Sequence, residues 1–178
     1  ATDFNQNLSN WDVSSVTNMQ WMFLYASNFN GDISSWDVSN VTNMNGMFNR
    51  TNDFNANLST WDVSSVTNMH QMFRYALSFS QDIGNWDVSS VTVMSETFNE
   101  AVSFNQDIGD WDVSNVTTMN HMFRYTQFNQ DISGWDVSNV TDMASMFYTN
   151  NSLSNTNKGL IHSTFYSNSN WPYSSWSA

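Results

Sequence analysis

Hydrophobic residues return in the same order about every 25 residues along most of the chain. The tripeptide Trp-Asp-Val marks each return, and its copies lie 25, 25, 25, 25 and 24 residues apart, at Trp11, Trp36, Trp61, Trp86, Trp111 and Trp135. A period of this length is typical of stacked repeats, in which each unit buries its apolar side against its neighbours. We therefore predict six tandem repeats within residues 1–151, with starts near 4, 29, 54, 79, 104 and 128.

Two spacings of apolar residues follow one another within each repeat. One is the leucine-rich-repeat spacing L-x-x-L-x-L-x-x-L, which predicts a short strand, and the other is i, i+3, i+4, i+7, which predicts a short helix. In the first repeat their residues are Leu8, Trp11, Val13 and Val16, then Met19, Met22, Phe23 and Ala26. The expected fold is an α/β solenoid, a leucine-rich-repeat-like right-handed coil of six units of about 25 residues, each with a short parallel strand and a short helix. Its inward Trp and Phe columns are interpreted as core, with a sugar-binding platform as the alternative.

Residues 152–178 lack the repeat and are predicted to cap the end of the stack. Leu153–Phe165 is expected to contain a helix with Ser154 as its N-cap, and its apolar side is predicted to consist of Leu160, Ile161 and Phe165. The aromatic tail around Trp171 and Trp176 is expected to cover the last repeat. The N-terminal end shows no such cap, which indicates either missing upstream sequence or an open edge able to pair with another chain.

Charge narrows the classes of partner. Only four basic residues oppose 16 acidic ones, for a net charge of −12, which argues against nucleic acid as a partner. No apolar run is long enough for a membrane span. Cysteine is absent, and the abundance of Asp, Asn and Ser with one lysine suits an extracellular or cell-surface setting.

The aspartate of Trp-Asp-Val forms the most regular polar column. It lies between two inward residues, so its side chain is expected to face solvent. The simpler interpretation is that each carboxylate caps its own turn by accepting hydrogen bonds from the serine two residues later. The alternative is that cations, most plausibly Ca²⁺, bridge successive carboxylates, helped by a second partial column of Asp32, Asp82, Asp107 and Asp131. The candidate ligand or cation face is Asp12, Asp37, Asp62, Asp87, Asp112 and Asp136.

A second candidate surface repeats every two units. Tyr25, Tyr75 and Tyr125 follow the second Phe of the odd units, with Arg74 and Arg124 beside two of them. Recent duplication of a double unit explains this alternation, but a row of Tyr and Arg binding anchors explains it too, because both residues are enriched at binding hot spots.

The threonine column and the histidines bear on two further functions, ice binding and catalysis. A threonine recurs in all six units, and helix capping explains it more simply than an ice-binding ladder. The three histidines occupy unlike positions without a metal or triad spacing, and equivalent acids recur in every unit, so no enzyme is predicted.

The string FNQDIGDWDVSNVTTMNHMF at Phe104–Phe123 closely resembles the 26-residue repeat of bacterial surface proteins, found in BspA-like surface proteins and mycoplasma lipoproteins. The resemblance extends over about residues 4–151, although the period here is 25 or 24. It implies an extracellular module for attachment and recognition, with no catalytic residues to carry over. The expected function is a non-catalytic adhesion module that binds a protein or glycan on another surface; the alternative is a surface-layer or filament building block that binds copies of itself end to end.

Overall fold

The computed structural model describes residues 2–176, in which consecutive repeats lie one on the next in parallel register. Backbone hydrogen bonds join residues one repeat apart: the amide of Thr42 donates to the carbonyl of Thr17 at 2.8 Å, and that of Met19 donates to Asn43 at 2.9 Å. The same bonds recur at each later junction, where isolated parallel bridges link one residue of each repeat to its equivalent in the next. The 25-residue period is therefore the step of a physical stack.

The expected strand and helix in each unit are wrong, and with them the α/β solenoid of leucine-rich-repeat type. Within residues 2–176 the one α-helix, α1, spans Asn155–Phe165 and belongs to no repeat. The same range contains five isolated parallel bridges and no strand that could form a sheet. The repeats consist instead of consecutive tight turns, so neither Thr17 nor its equivalents cap a helix.

The supposed helical segment is a chain of turns because its amide groups alternate between two directions. The amide of Met22 donates back to Met19 within the unit, whereas the amides of Trp21 and Phe23 donate to carbonyls of the next unit. Trp21 and Tyr25 lie at third positions of such turns and have φ near +59°, as a type II turn requires there. In an α-helix every amide would instead bond inside the segment.

Three columns of aromatic rings form the core. Phe48 and Phe73 stack with centroids 5.6 Å apart, Phe54 and Phe79 at 6.0 Å, and Trp36 and Trp61 at 6.4 Å. Nearly all members of these columns are buried, which confirms their interpretation as core. The exceptions are both in the first repeat, where Phe4 is half-buried and the side chain of Trp11 is 54% exposed.

The tryptophan column also ties neighbouring repeats together through its indole nitrogens. Trp86 Nε1 donates to the carbonyl of Leu58 in the preceding repeat at 3.0 Å, and the same bond recurs for Trp36, Trp61, Trp111 and Trp135. A phenylalanine has no donor for this bond, so the indole explains why this column is tryptophan in every repeat.

The segment after the repeats folds against the sixth one. Helix α1 begins after Ser154, whose Oγ accepts from the amide of Asn157 at 3.1 Å, so the predicted helix and its cap are confirmed. Ile161 and Phe165 are buried as expected, but Leu160 is exposed. The rings of Trp171, Tyr173 and Trp176 all pack on Phe147, which confirms that the aromatic tail covers the last repeat.

Candidate functional site: two faces of the repeat stack

The aspartates of Trp-Asp-Val lie on an exposed face and cap their own turns. Asp87 Oδ1 accepts both the amide of Ser89 at 3.0 Å and its hydroxyl. The amide bond recurs in all six units, at Asp12, Asp37, Asp62, Asp112 and Asp136. All six aspartates are exposed. The turn-capping interpretation is therefore confirmed, and the recurrence of aspartate needs no ligand to explain it.

Local hydrogen bonds set the acidity of this face. The hydroxyl and amide of Ser39 lower the pKa of Asp37 below its ordinary value, although the neighbouring charge of Asp12 opposes the shift. The pKa of Asp87 is lowered in the same way by Ser89. Residues 2–176 contain no group of three or more His, Cys, Asp or Glu side chains placed to hold a metal ion. Turn capping is thus observed on this face, and calcium binding by the same carboxylates stays a prediction.

The threonine column serves the stack as well. The Thr67 hydroxyl donates to the Thr42 carbonyl at 3.1 Å, beside the backbone bond between the same two residues. The bond recurs from Thr42 to Thr141, so each hydroxyl contacts the preceding repeat. This contact accounts for the column without ice binding, through a different bond from the predicted helix cap.

A second surface, here called the variable face, is formed by four columns of the turn segment that lie outside the aromatic core. Most of their side chains are exposed or half-buried, whereas Asn49, Ser95 and Asn99 are buried. The four columns begin at Gln20, Trp21, Leu24 and Tyr25 and alternate with the buried residues Met19, Phe23 and Ala26. The columns continue as Asn45, His70, Ser95, Asn120 and Ala144; Gly46, Gln71, Glu96, His121 and Ser145; Asn49, Arg74, Asn99, Arg124 and Tyr148; and Arg50, Tyr75, Glu100, Tyr125 and Thr149. Every arginine and both glutamates of the chain lie here, whereas all 14 aspartates occupy other columns.

Two of these columns have a backbone conformation that disfavours the residues they contain. Eleven non-glycine residues have φ between +56° and +63°, and all are members of the variable face. Such a conformation costs an L-residue about 1–2 kcal/mol, and glycine avoids that cost. Gly46, the one glycine of these two columns, also has a positive φ, and an added Cβ there would clash with the ring of Trp21. At the other eleven positions Trp, Tyr, Arg, Gln, Glu, His, Ser or Thr stands where glycine would relieve the backbone.

Arginines stack on tyrosines along the variable face. The Arg50 guanidinium lies 5.4 Å from the ring centroid of Tyr25 and 4.2 Å from that of Tyr75, one repeat to either side. Arg124 lies 4.9 Å from the Tyr125 centroid and 5.4 Å from that of Tyr148. The predicted Tyr/Arg residues are thus brought together, at turn corners and not at the helix ends that we expected.

A polar network crosses the middle of this face. Gln71 Nε2 donates to Glu96 Oε1 at 3.1 Å, and Asn99 Nδ2 donates to Glu96 Oε2 at 3.0 Å. Arg74 Nε lies 3.0 Å from Glu96 Oε2, but its N–H does not point at that oxygen. Burial of Glu96 raises its pKa, but the Gln71 hydrogen bond and the Arg74 charge outweigh that effect, so the pKa of Glu96 is lowered.

The variable face also contains polar atoms that the protein leaves unpaired. Five buried side-chain N or O atoms within residues 2–176 lack a hydrogen-bond partner, namely Asn45 Oδ1, Asn49 Oδ1, Arg74 Nε, Asn99 Oδ1 and Arg124 Nε. All five belong to the variable face. Buried polar groups are nearly always paired with protein or with ordered water, so such a concentration marks a place where water or a ligand supplies the partners.

Sequence reasoning missed three parts of this site. Arg50 lies in the same column as Tyr25 and Tyr75, but the alternation of odd and even units predicts no link between them. Tyr148 extends the arginine–tyrosine contacts into the sixth repeat, although it lies in the column of Arg74 and Arg124 and not in that of the other tyrosines. Glu96 has no glutamate at the equivalent position of any other repeat, so the repeat pattern did not point to it. Aligning all residues by column, including the ones that differ, would have found Arg50.

Comparison with known proteins identifies the repeats. A family model described as "Mycoplasma protein of unknown function, DUF285" matches residues 1–83 and 51–160, which together include all six repeats. No curated protein and no solved structure gives a significant match. No helix within residues 2–176 is long and apolar enough to span a membrane.

Proposed function

The chain belongs to this mycoplasma repeat family, and from that premise we propose that it is a non-catalytic recognition or adhesion module of the cell surface. It binds its partner, a protein or glycan on another surface, through the variable face. The aspartate face has a structural role in this proposal. The likeness of Phe104–Phe123 to the repeats of BspA-like surface proteins supports the extracellular location.

The observation that carries this proposal is the set of large polar and aromatic side chains at positions of positive φ. The columns that are the same in every repeat form the core of the fold. At the variable positions of positive φ, glycine would adopt the backbone conformation at a lower cost in free energy. Backbone strain held at half-buried or exposed Tyr, Arg and Glu side chains is characteristic of functional surfaces. The unpaired buried atoms of Asn49 and Arg124 support the same surface independently.

Two features favour recognition over catalysis. The variable face is an open, extended surface, and its Tyr and Arg residues are the types that dominate binding energy at interfaces. The acids of the aspartate face are six near-identical copies engaged in turns, whereas catalysis needs one site in which two groups have different environments. No cofactor is required for this function.

A glycan and extracellular-matrix array tests the proposal, with one variant for each face. The variable-face variant replaces Tyr25, Tyr75 and Tyr125 with glycine, which suits their positive φ and so preserves the backbone. The matched variant replaces aspartates of the other face with asparagine, which caps the same kind of turn where Ser9 donates to Asn7 Oδ1 at 2.9 Å. We expect the glycine variant to lose binding and the asparagine variant to retain it; the reverse result would assign binding to the aspartate face.

End-to-end assembly is the second candidate function, and the first repeat favours it. Its apolar side is uncovered: Trp11 is 54% exposed, and Met22 is 38% exposed beside Phe23 and Leu8. Trp11 Nε1 also has no hydrogen-bond partner among residues 2–176, unlike its equivalents in the later repeats. A surface of this kind accepts another repeat, either from the same chain or from a second copy.

Sedimentation velocity over a wide concentration range separates the two functions. Assembly predicts polymers whose size rises with concentration and falls when Trp11 is replaced by serine. Recognition predicts a monomer at all concentrations, with array binding unaffected by the same substitution. A monomer that fails to bind any array component would contradict both proposals.

A further inference from the structure

We infer that Tyr25, Arg50, Tyr75 and Asn49 form a site for a sugar acid, with its carboxylate on the Arg50 guanidinium and a hydroxyl on Asn49 Oδ1. This inference rests on the proposed recognition function and names its ligand class. We call the first three residues the Arg50 clamp. It lies where the first three repeats adjoin on the variable face.

The Arg50 clamp holds a guanidinium in place while leaving its donors available. Tyr25 and Tyr75 lie one repeat to either side, so their rings flank the planar group at 5.4 and 4.2 Å. Arg50 has no ion-pair or hydrogen-bond partner for its side chain within residues 2–176, and its nitrogens are not among the buried unpaired atoms. A guanidinium stacked by its faces presents its N–H groups at its edge, where a carboxylate accepts two parallel hydrogen bonds.

The other arginines of the face are less suited to an anion. Arg74 has the carboxylate of Glu96 3.0 Å from its Nε, so its charge is already neutralised. Arg124 is stacked like Arg50, but its Nε is buried, so at most its two terminal nitrogens face solvent. Arg50 is therefore the arginine whose charge has no partner and whose nitrogens all lie outside the buried set.

Asn49 adds a requirement for a hydrogen-bond donor beside the clamp. Its side chain is 95% buried, since only 5% of the residue is exposed, and its Nδ2 donates to Gln71 Oε1 at 3.2 Å. Its Oδ1 has no partner, and neither does Oδ1 of Asn45 in the same repeat. A ligand that satisfies this site carries a carboxylate together with hydroxyl donors, which is the chemistry of a sugar acid.

Long-range charge favours an isolated acidic sugar over a dense polyanion. The chain carries a net charge of −12, and its arginines occupy the variable face alone. A ligand with many negative charges is repelled by the rest of the surface, whereas a single carboxylate on a neutral oligosaccharide meets mainly the clamp.

The test titrates the full chain with glucuronic acid, with glucose and with a glutamate-containing peptide, and follows the Arg50 Nε–H resonance by NMR. We expect glucuronic acid alone to shift that resonance, and added salt to weaken the binding. Arg50→Gln should lower the affinity at least tenfold, and Arg50→Lys severalfold, because an ammonium lacks the planar fork. Lys158→Gln removes the same charge in the C-terminal cap and should change nothing.

Each contrary result overturns a defined part of the inference. Equal binding of glucose and glucuronic acid, or equal losses in the Arg50→Gln and Lys158→Gln variants, would eliminate the oxyanion site. Arg50-dependent binding of the peptide alone would assign the clamp to a protein partner. If the array ligand still binds the Arg50→Gln variant but not the tyrosine-to-glycine variant, the recognition function stands and the Arg50 clamp is excluded.

Discussion

Replacing Trp86 by phenylalanine tests whether the indole hydrogen bonds hold the repeats together. Trp86 is buried, and its Nε1 donates to the Leu58 carbonyl at 3.0 Å. That carbonyl also accepts a hydrogen bond from the amide of Trp61, so the substitution removes one of its two hydrogen bonds and leaves the other in place. The lost hydrogen bond costs about 1 kcal/mol, and the smaller ring about 1 kcal/mol more.

We therefore expect Trp86→Phe to lower the free energy of unfolding by about 2 kcal/mol, against about 3–5 kcal/mol for Trp86→Ala. Urea unfolding followed by tryptophan fluorescence measures this difference, provided that the dependence on urea keeps the same slope in each variant.

Trp11→Phe is the matched control because it makes the same change in the same column. Trp11 is 54% exposed and its Nε1 has no hydrogen-bond partner among residues 2–176, so its replacement should cost less than about 0.5 kcal/mol. The reasoning is refuted if both variants lose the same stability, or if Trp86→Phe unfolds at the same urea concentration as the unmodified protein.

Three other results are expected from the geometry. Glu100→Gly should raise the free energy of unfolding by about 1 kcal/mol by relieving φ of +63°, whereas Gly46→Ala should lower it; thermal unfolding that shifts the same way in both would contradict this. Tyr173→Phe leaves the amide of Phe147, now 2.7 Å from the tyrosine hydroxyl, without its acceptor, and should cost about 1–3 kcal/mol in urea unfolding. Aspartates such as Asp87 have a lowered pKa in the folded protein, so they stabilise the folded protein at pH above the unfolded pKa of 3.8. This stabilisation is lost as pH falls through the folded pKa. A urea midpoint that is unchanged between pH 6 and pH 2.5 would contradict this prediction.

The sequence alone was sufficient to identify the repeated columns of the core. A column that is Trp, Phe or Val in every repeat must be inside, because no single unit can cover it, and the structure buries these columns from the second repeat onward. The spacing of residues predicted that Asp87 faces solvent and accepts a hydrogen bond from Ser89. It also predicted helix α1 and its N-cap at Ser154. These features depend on residues close together in the chain or on the identity of whole columns.

The secondary structure of the repeats was decided only by the tertiary stack. Met19, Met22, Phe23 and Ala26 face inward both in a helix and in a chain of turns whose residues point in, out, out and in. The two differ in the hydrogen-bond acceptor, because in the stack the amide of Trp21 donates to the carbonyl of Asn45 in the next repeat. The order of apolar residues within one repeat does not predict that acceptor. The variable face followed from the same geometry, since the contact of Arg50 with Tyr25 and Tyr75 joins three repeats. Periodicity determines which side chains are buried, but the partner of each backbone amide depends on the neighbouring repeat.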